Sequence, residues 1–364
     1  MSMVQNYKNI SLCQAGFSLV EILVGLVIGL LATLVIMQVF SAFEGQKRST
    51  SGSADAQTNG SIALMNIQRD VQMAGFGLPP LMVEVGPSKQ SSLLCDPFPD
   101  FDPDNDPATN NSTNLFPVVI QDGVANASDI LIVRYSANAM GALPVKIVNL
   151  LNPIMNPGLV VENNIGCSSG SIVLVSNGST CRMTKVATPN GIPDATHVIL
   201  DASTPLGNPL ATNSKLACMG NWQDNRYEVV NNELRLNGSP IVAEVVNMQA
   251  QYGVSALATS NQVNQWVNAT GAWAAPTVAD RNRIKAVRIV VVVRNGLREK
   301  VNVTTTCTTN KGTLNNGPCA WDDTDYSAAP MIDLSTDPDW QKYRFRAFET
   351  IIPLRNMIWS RATL

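Results

Sequence analysis

The sequence predicts an α+β fold in which one long N-terminal α-helix packs on a mainly antiparallel β-sheet that carries large loops. No proline occurs between Phe17 and Leu78, and glycines at 75 and 77 followed by Pro79 and Pro80 end the predicted helix. From residue 81 onward the apolar residues recur with a period of two instead of 3.6, and turn-rich segments separate them. A long helix followed by many strands is typical of an α+β protein.

The first half of the predicted helix has the composition of a membrane span. The 22 residues 22–43 carry no charge, and a helix of that length reaches about 30 Å, enough to cross the hydrocarbon of a bilayer. Gly25 and Gly29 either form a small-residue face for close helix approach or are glycines of the kind that membrane helices tolerate. Glu21 lies at the edge of the apolar run, where a carboxylate is costly unless a cation pairs with it.

The second half of the helix is amphipathic and is expected to pack on a globular head. Its predicted apolar side comprises Leu64, Ile67, Val71 and Leu78, and its predicted polar positions are Gln68, Arg69, Asp70 and Gln72. Residues 44–60, between the two halves, are rich in small polar side chains and predict either a solvated stretch of helix or a partly melted one.

The strands of the head follow from alternating or continuous apolar runs. The shorter predicted strands are 118–121, 129–135, 145–150, 172–175 and 197–201. Residues 244–254 predict a long half-buried strand and residues 283–294 a central one. Asn295 and Gly296 predict a hairpin that leads into a strand at 297–306, and a last strand is predicted at 343–352.

Composition excludes several classes of function. The 364 residues carry a net charge of -3 with scattered Lys and Arg, so nucleic acid is not expected as a main partner. His197 is the single histidine and resembles a strand residue, so a Ser-His-Asp or Cys-His arrangement has little to draw on. No phosphate-binding glycine loop or nucleophile elbow occurs, and we expect no enzymatic activity.

Three kinds of targeting segment compete for the N-terminus. A secretory signal would have a shorter apolar core followed by small residues, whereas bulky Val39, Phe40 and Phe43 follow this one. A lipoprotein site would need a core upstream of its cysteine, but Cys13 precedes the core. The third alternative is cleavage before the apolar segment.

The third alternative is favoured by Gly16-Phe17-Ser18-Leu19-Val20-Glu21, which resembles the processing motif of the type IV pilin superfamily. The resemblance implies that a prepilin peptidase cuts after Gly16 and methylates the new amine of Phe17. It also implies that Glu21 pairs with such an amine, its own or a neighbour's, and so helps to draw the subunit into a growing filament.

Blocks in the C-terminal half resemble the PilW family of minor pilins. They are residues 233–238, 248–254, 284–294, 343–350 and 352–356. The resemblance implies a structural minor pilin that takes part in initiation and assembly of type IV pili, whose outputs are adhesion, twitching motility and DNA uptake. There are two alternatives. One is a type II secretion pseudopilin, and the other is a pilus-tip adhesin or calcium-dependent binding module.

The resemblance also implies an organisation and a location. Residues 1–16 are the leader peptide, 17–78 the long helix and 79–364 a β-rich head. Within the helix, 17–45 is the membrane and filament-core half and 46–78 the half packed on the head. Before assembly the chain spans the inner membrane once with a periplasmic head, and afterwards it lies in the pilus fibre at the cell surface. Its implied partners are other minor pilins, the major pilin, the prepilin peptidase and the inner-membrane assembly platform.

The cysteines predict disulfide bonds. Cys13 lies in the leader, and the other six are an even number beyond a membrane-targeting segment, which suits an oxidising compartment. They are Cys95, Cys167, Cys181, Cys218, Cys307 and Cys319. No CxxC pair exists, which argues against zinc. We expect Cys167 to pair with Cys181 and Cys307 with Cys319, each closing a short loop, which leaves Cys95 for Cys218.

Two features of the loops could bind ligands. Asp100, Asp102, Asp104 and Asp106 alternate in one loop and either wrap a Ca²⁺ ion or form a solvated acidic loop stiffened by prolines. Asp322, Asp323 and Asp325 have the same two interpretations. Trp266, Trp273 and Trp340 either form an adhesive or sugar-binding surface or anchor loops to the head.

Overall fold

The computed structural model describes residues 18–78, 83–85, 88–90, 115–124, 127–137, 142–150, 158–176, 181–201 and 214–360. The chain divides into two compact units, Met1–Gly52 and Ser53–Leu364. The helices are α1 (Leu19–Met73), α2 (Val278–Arg281) and α3 (Arg355–Ser360). Residues 44–60 lie within α1, so this segment is helical rather than melted.

Nineteen strands are described. They are β1 (Val83–Val85), β2 (Ser88–Gln90), β3 (Val118–Gln121), β4 (Ile130–Ser136), β5 (Val145–Leu150), β6 (Gly158–Val161), β7 (Ile172–Ser176), β8 (Cys181–Lys185), β9 (His197–Ile199), β10 (Lys215–Gly220), β11 (Trp222–Val230), β12 (Glu233–Leu236), β13 (Ser239–Ala243), β14 (Val245–Val254), β15 (Gln265–Val267), β16 (Ile284–Arg294), β17 (Cys307–Thr308), β18 (Leu314–Asn315) and β19 (Phe345–Pro353). All the strand pairs among them are antiparallel. The predicted α+β fold, with one long helix and mainly antiparallel sheets, is confirmed.

The main core of the head lies between α1 and two sheets. One sheet has the order β13-β12-β11-β4-β3 and the other the order β15-β14-β16-β19. The helix contributes Ala56, Ala63, Ile67, Val71 and Ala74 to this core, each no more than 3% exposed. Spacings of three, four and seven residues place these side chains on one face of the helix, and the small alanines let the sheets approach its backbone.

Strand β14 is buried on both faces, so the expectation of a half-buried strand was wrong. One face packs in the core with α1 through Met248, Ala250 and Tyr252. The other face carries Gln249 and Gln251, which are also buried. Gln249 donates to the carbonyl of Ala127 (2.8 Å), and Gln251 donates to that of Ala328 in the covering loop (3.1 Å). Polar residues on a strand therefore do not by themselves indicate a solvated face.

The predicted hairpin after Asn295 and Gly296 was also wrong. Residues 297–306 form no strand, and β16 pairs instead with β19, from Ala286 opposite Pro353 to Arg294 opposite Phe345. The intervening residues cover the outer face of β16, where Val290 and Val292 pack with Ile332, Leu334 and Trp340. Because burying that apolar face is favourable, the chain crosses it before it returns to the sheet edge.

A second lobe is inserted between two paired strands. Ser136 at the end of β4 lies opposite Trp222 at the start of β11, and residues 137–221 separate them in sequence. This segment forms a six-stranded sheet of order β8-β7-β10-β5-β6-β9 with a hydrophobic cluster of its own.

Candidate functional site

The predicted processing residues Gly16 and Phe17 lie outside the described residues. Glu21 lies in the first turn of α1, and its N–H and that of Ile22 both donate to the carbonyl of Ser18 (3.0 and 3.2 Å). A carboxylate at this position interacts favourably with the positive end of the helix dipole. The side chain of Glu21 is exposed.

The apolar half of α1 exposes its side chains all around the helix. The large apolar residues of 19–43 for which exposure is described are 47% to 77% exposed. By length and composition α1 can cross a membrane. A Cβ added at Gly25 or Gly29 would meet no atom within 4 Å, so both glycines are accessible to another helix.

The other half of α1 is locked to the head by Asp70, which we predicted as a polar surface position. The structure instead buries Asp70 to 2% exposure. Its carboxylate accepts hydrogen bonds from Asn225 Nδ2 and Tyr227 Oη (both 2.6 Å) and from Tyr135 Oη (3.5 Å). Burial raises the pKa of both tyrosines, and Asp70 raises it further, through its charge at Tyr135 and through both its hydrogen bond and its charge at Tyr227. Both hydroxyls therefore remain protonated donors.

Strand β19 holds the preceding turns of α1. The ring of Phe348 fills the space that a Cβ at Gly60 would need, with ring atoms 2.0 to 2.4 Å from that point. Arg346 donates to Gln57 Oε1 (2.7 Å). Gly60 is thus a position where the packing of helix on sheet leaves no room for a side chain.

The disulfide pairing corrects one expectation. Cys307 bonds to Cys319, as we expected from the short loop between them. Cys167, however, bonds to Cys218, so the pairs Cys167–Cys181 and Cys95–Cys218 were wrong. Cys218 lies on β10, opposite Val173 of β7, and the bond ties the loop before β7 to the inserted sheet. Cys95 lies outside the described residues.

The two acidic clusters considered as calcium sites lie in different parts of the chain, and the structure describes only the second of them. Asp100, Asp102, Asp104 and Asp106 lie outside the described residues. Asp323 accepts the N–H of Ala329 (2.6 Å) and the hydroxyls of Thr309 and Thr313, which together hold its pKa below the ordinary value. Within the described ranges, no three His, Cys, Asp or Glu side chains are grouped to hold a metal ion.

Asp322 and Asp325 contact neighbouring groups of the same loop. Asn310 N donates to Asp322 (3.4 Å), and Lys311 Nζ lies 2.6 Å from Asp325 Oδ1. This acidic cluster therefore organises the loop that covers β16.

The tryptophans anchor loops to the head. Trp340 is 8% exposed and packs in the cluster over β16. Arg283 lies over the ring of Trp273 (5.4 Å), and Arg288 lies between the rings of Trp266 (5.1 Å) and Trp321 (4.8 Å). Sequence reasoning missed this sandwich because Arg288 stands within a run of valine and isoleucine.

His197 lies at the start of β9 and pairs with a nearby carboxylate. Its Nδ1 is 2.6 Å from Asp194 Oδ2, and Thr196 N donates to Asp194 Oδ1 (2.8 Å). These two contacts lower the pKa of Asp194 to about 2. The arrangement closes the turn that enters β9.

Asp129 is a buried carboxylate that sequence reasoning did not identify. It is 1% exposed and accepts the N–H groups of Gly123 and Ala250, both at 2.8 Å. Burial raises its pKa to about 7. The two N–H donors lower the pKa and so oppose this rise, whereas the charge of nearby Asp122 adds to it. The folded state therefore binds a proton at Asp129 at a pH where the unfolded chain has released it.

We expect Asp129 to make the head less stable as pH rises from about 4 to about 7 and to have no further effect above that range. Asp129→Asn removes the titratable group, so the free energy of unfolding of this variant is expected to change less with pH. The difference from the wild type amounts to at most about 4 kcal/mol over this range. Thermal unfolding of the wild type and of Asp129→Asn between pH 4 and 8 measures it. Parallel profiles for the two proteins would contradict the assignment.

Comparison with known proteins finds a family to which the C-terminal part of the chain is similar. Residues 212–356 match the family model described as PilW, type IV pilus-assembly protein W. No significant match was found among curated proteins. A type IV-like pilin from Thermus thermophilus aligns over 83% of this chain and 96% of its own, at 8% identity and a TM-score of 0.30, a similarity from which no function follows. From β10 through β19 and into the start of α3, the head of this chain is thus similar to the type IV pilus-assembly protein W family.

Proposed function

We propose that the chain is a minor pilin that takes part in initiation and assembly of type IV pili. The observation that carries this proposal is the exposed apolar surface of residues 19–43, on the same helix whose residues 56–74 pack in the core of the head. So much apolar surface is unfavourable in water and has to be covered by lipid or by other apolar helices. A subunit that leaves a bilayer for a helical filament meets both environments in turn.

The family match supports a pilus role over the alternative of a type II secretion pseudopilin, because the matching family is described by pilus assembly. In the proposed route, the peptidase removes residues 1–16 and leaves a methylated Phe17 at the N-terminus. The apolar half of α1 then holds the chain in the inner membrane with its head in the periplasm. The partners at assembly are other minor pilins, the major pilin and the assembly platform.

Glu21 gives this route a testable contact. Its carboxylate stands at the edge of the apolar run, four residues after Phe17, where an ammonium freed by cleavage lowers the cost of placing a charge next to apolar surroundings. Glu21→Gln keeps the shape of the side chain and removes the charge. We expect about tenfold fewer copies in sheared pili, equivalent to about 1.4 kcal/mol of lost pairing, with the amount in the membrane unchanged.

The control is Glu44→Gln, at the opposite end of the uncharged segment, which should leave incorporation unchanged. Immunoblots of sheared pili and of membranes measure both variants. Normal incorporation of Glu21→Gln would rule out the pairing. Deleting the whole chain tests the function itself, because cells that still assemble normal numbers of pili would contradict a role in initiation and assembly.

A further inference from the structure

A cavity of about 480 Å³ on the head is lined by residues of both core sheets and of the loop that covers β16. The turn between β11 and β12, formed by Asn231 and Asn232, contributes to its lining. Arg294 at the end of β16, Trp340, and Phe345 at the start of β19 line it as well. Its volume falls in the range of about 300–1,000 Å³ that is usual for small-molecule sites.

The polar groups of this cavity both donate and accept hydrogen bonds. Asn231 and Asn232 are exposed residues with positive φ (54° and 61°), and their side chains make no hydrogen bond within the described part of the chain. An amide offers two donors and an acceptor oxygen, and Thr336, which also lines the cavity, adds a hydroxyl. A ligand that carries several hydroxyl groups matches such a set, because each hydroxyl also donates and accepts.

Arg294 is held in place before any ligand arrives. Its Nε donates to Glu244 Oε2 (2.6 Å), and its guanidinium lies 4.6 Å from the ring centre of Tyr343. Its Nη1 is 3.6 Å from Asp337 Oδ2, just too far for a direct hydrogen bond. A ligand hydroxyl can accept from Arg294 and donate to Asp337, whose other oxygen is occupied by the N–H of Asp339 (2.9 Å).

Charge and apolar surface narrow the class of ligand. Asp333, Asp337 and Arg294 line the cavity, and the charge of the Arg294 guanidinium is already neutralised by Glu244. The two aspartates therefore leave the cavity with a negative charge, which disfavours the binding of an anion. Half-buried Phe345 supplies an apolar wall against which the C–H face of a sugar ring can pack, and the buried Trp340 packs in the same cluster and holds that wall in place. We propose that this cavity binds a neutral saccharide.

The test uses the full chain in a detergent that lacks a sugar headgroup, since maltoside detergents would compete for the cavity. Saturation-transfer NMR is recorded with glucose, galactose, mannose and N-acetylglucosamine, and with glucuronic and sialic acids as acidic probes. We expect binding of at least one neutral sugar and none of the acids. Asn232→Gly removes the amide but preserves the positive-φ turn, and Thr336→Val removes the hydroxyl but preserves the side-chain shape. Each substitution is expected to weaken the binding of that sugar about tenfold.

Asn190→Gly is the matched control, because Asn190 is another exposed asparagine with positive φ (68°) and does not line the cavity. It should bind as the wild type does, and circular dichroism verifies that all variants are folded. No binding of any neutral sugar at about 10 mM overturns the proposal. Equal binding of acidic sugars, or unchanged binding by both cavity variants, overturns it as well. None of these outcomes bears on pilus assembly, which is tested separately.

Discussion

Replacing Asp70 by alanine is expected to destabilise the head by about 3–5 kcal/mol. The substitution removes the acceptor of two 2.6 Å hydrogen bonds and leaves the hydroxyl of Tyr227 and the amide of Asn225 buried without it. A buried donor that loses its partner costs about 1–3 kcal/mol. Because these donors stand on β11 and the acceptor on α1, the loss falls on the contact between helix and sheet.

Asp70→Asn separates charge from shape in the same position. With its oxygen in the place of Oδ2, the new side chain can still accept from both Asn225 and Tyr227, and its amide nitrogen then faces the hydroxyl of Tyr135. Because the acceptor no longer carries a charge, an intermediate loss is expected. Arg69→Ala is the control, because Arg69 is the adjacent residue, its side chain is 74% exposed and its contact with Asp70 is long (3.6 Å). That change should stay within about 0.5 kcal/mol.

Guanidinium unfolding of the full chain in detergent micelles, followed by tryptophan fluorescence, gives the free energies of unfolding. A double-mutant cycle of Asp70→Ala with Tyr227→Phe then isolates the pair, for which we expect a coupling of about 1–3 kcal/mol. If Asp70→Ala costs no more than Arg69→Ala, the buried network does not hold the helix to the head.

Asp70 also shows where sequence reasoning reaches its limit. The period of apolar residues correctly placed Ile67 and Val71 on the packed face of α1, because helix geometry is local. Asp70 stands among Gln68, Arg69 and Gln72, and nothing local distinguishes it from a surface carboxylate. Its donors come from β4 and β11, and that proximity depends on the packing of the whole head.

The same reason explains the disulfide and hairpin errors. Short sequence separation suggested Cys167 with Cys181, but the pairing of β7 with β10 brings Cys218 closer. Asn295 and Gly296 have the composition of a tight turn, yet the N–H of Asn295 donates to the carbonyl of Arg344 (2.8 Å), beside the strand that pairs with β16. The processing motif, by contrast, is contiguous, so sequence alone makes Glu21 a candidate.

Replacing Arg288 by alanine is the second change with a large expected effect, a loss of about 3–5 kcal/mol. Arg288 is 4% exposed, and its guanidinium lies between the rings of Trp266 and Trp321. Its Nε donates to Gln251 Oε1 (2.5 Å) and its Nη2 to the carbonyl of Ala328 (3.1 Å). It therefore ties the central strand β16 to β15 and to the loop that covers the sheet.

Burial opposes this charge and lowers the pKa of Arg288 to about 10, so the guanidinium is still protonated at neutral pH. Each desolvated cation–π contact contributes about 0.5–2 kcal/mol, and a hydrogen bond from a charged group about 1.5–3 kcal/mol. Stacking and hydrogen bonding both offset the desolvation cost of the buried guanidinium. Arg288→Lys keeps the charge but loses the planar group that stacks on two rings and donates in two directions.

We therefore expect Arg288→Lys to lose about 2 kcal/mol, between the wild type and Arg288→Ala. Near-ultraviolet circular dichroism should change for both variants, because the environment of Trp266 and Trp321 changes. Arg298→Ala, an exposed arginine paired with Asp339 (2.8 Å), is the control and should change stability by less than about 0.5 kcal/mol. If Arg288→Lys were as stable as the wild type, a positive charge alone would be sufficient. The stacking of the planar guanidinium on two rings would then not be what holds the covering loop on β16.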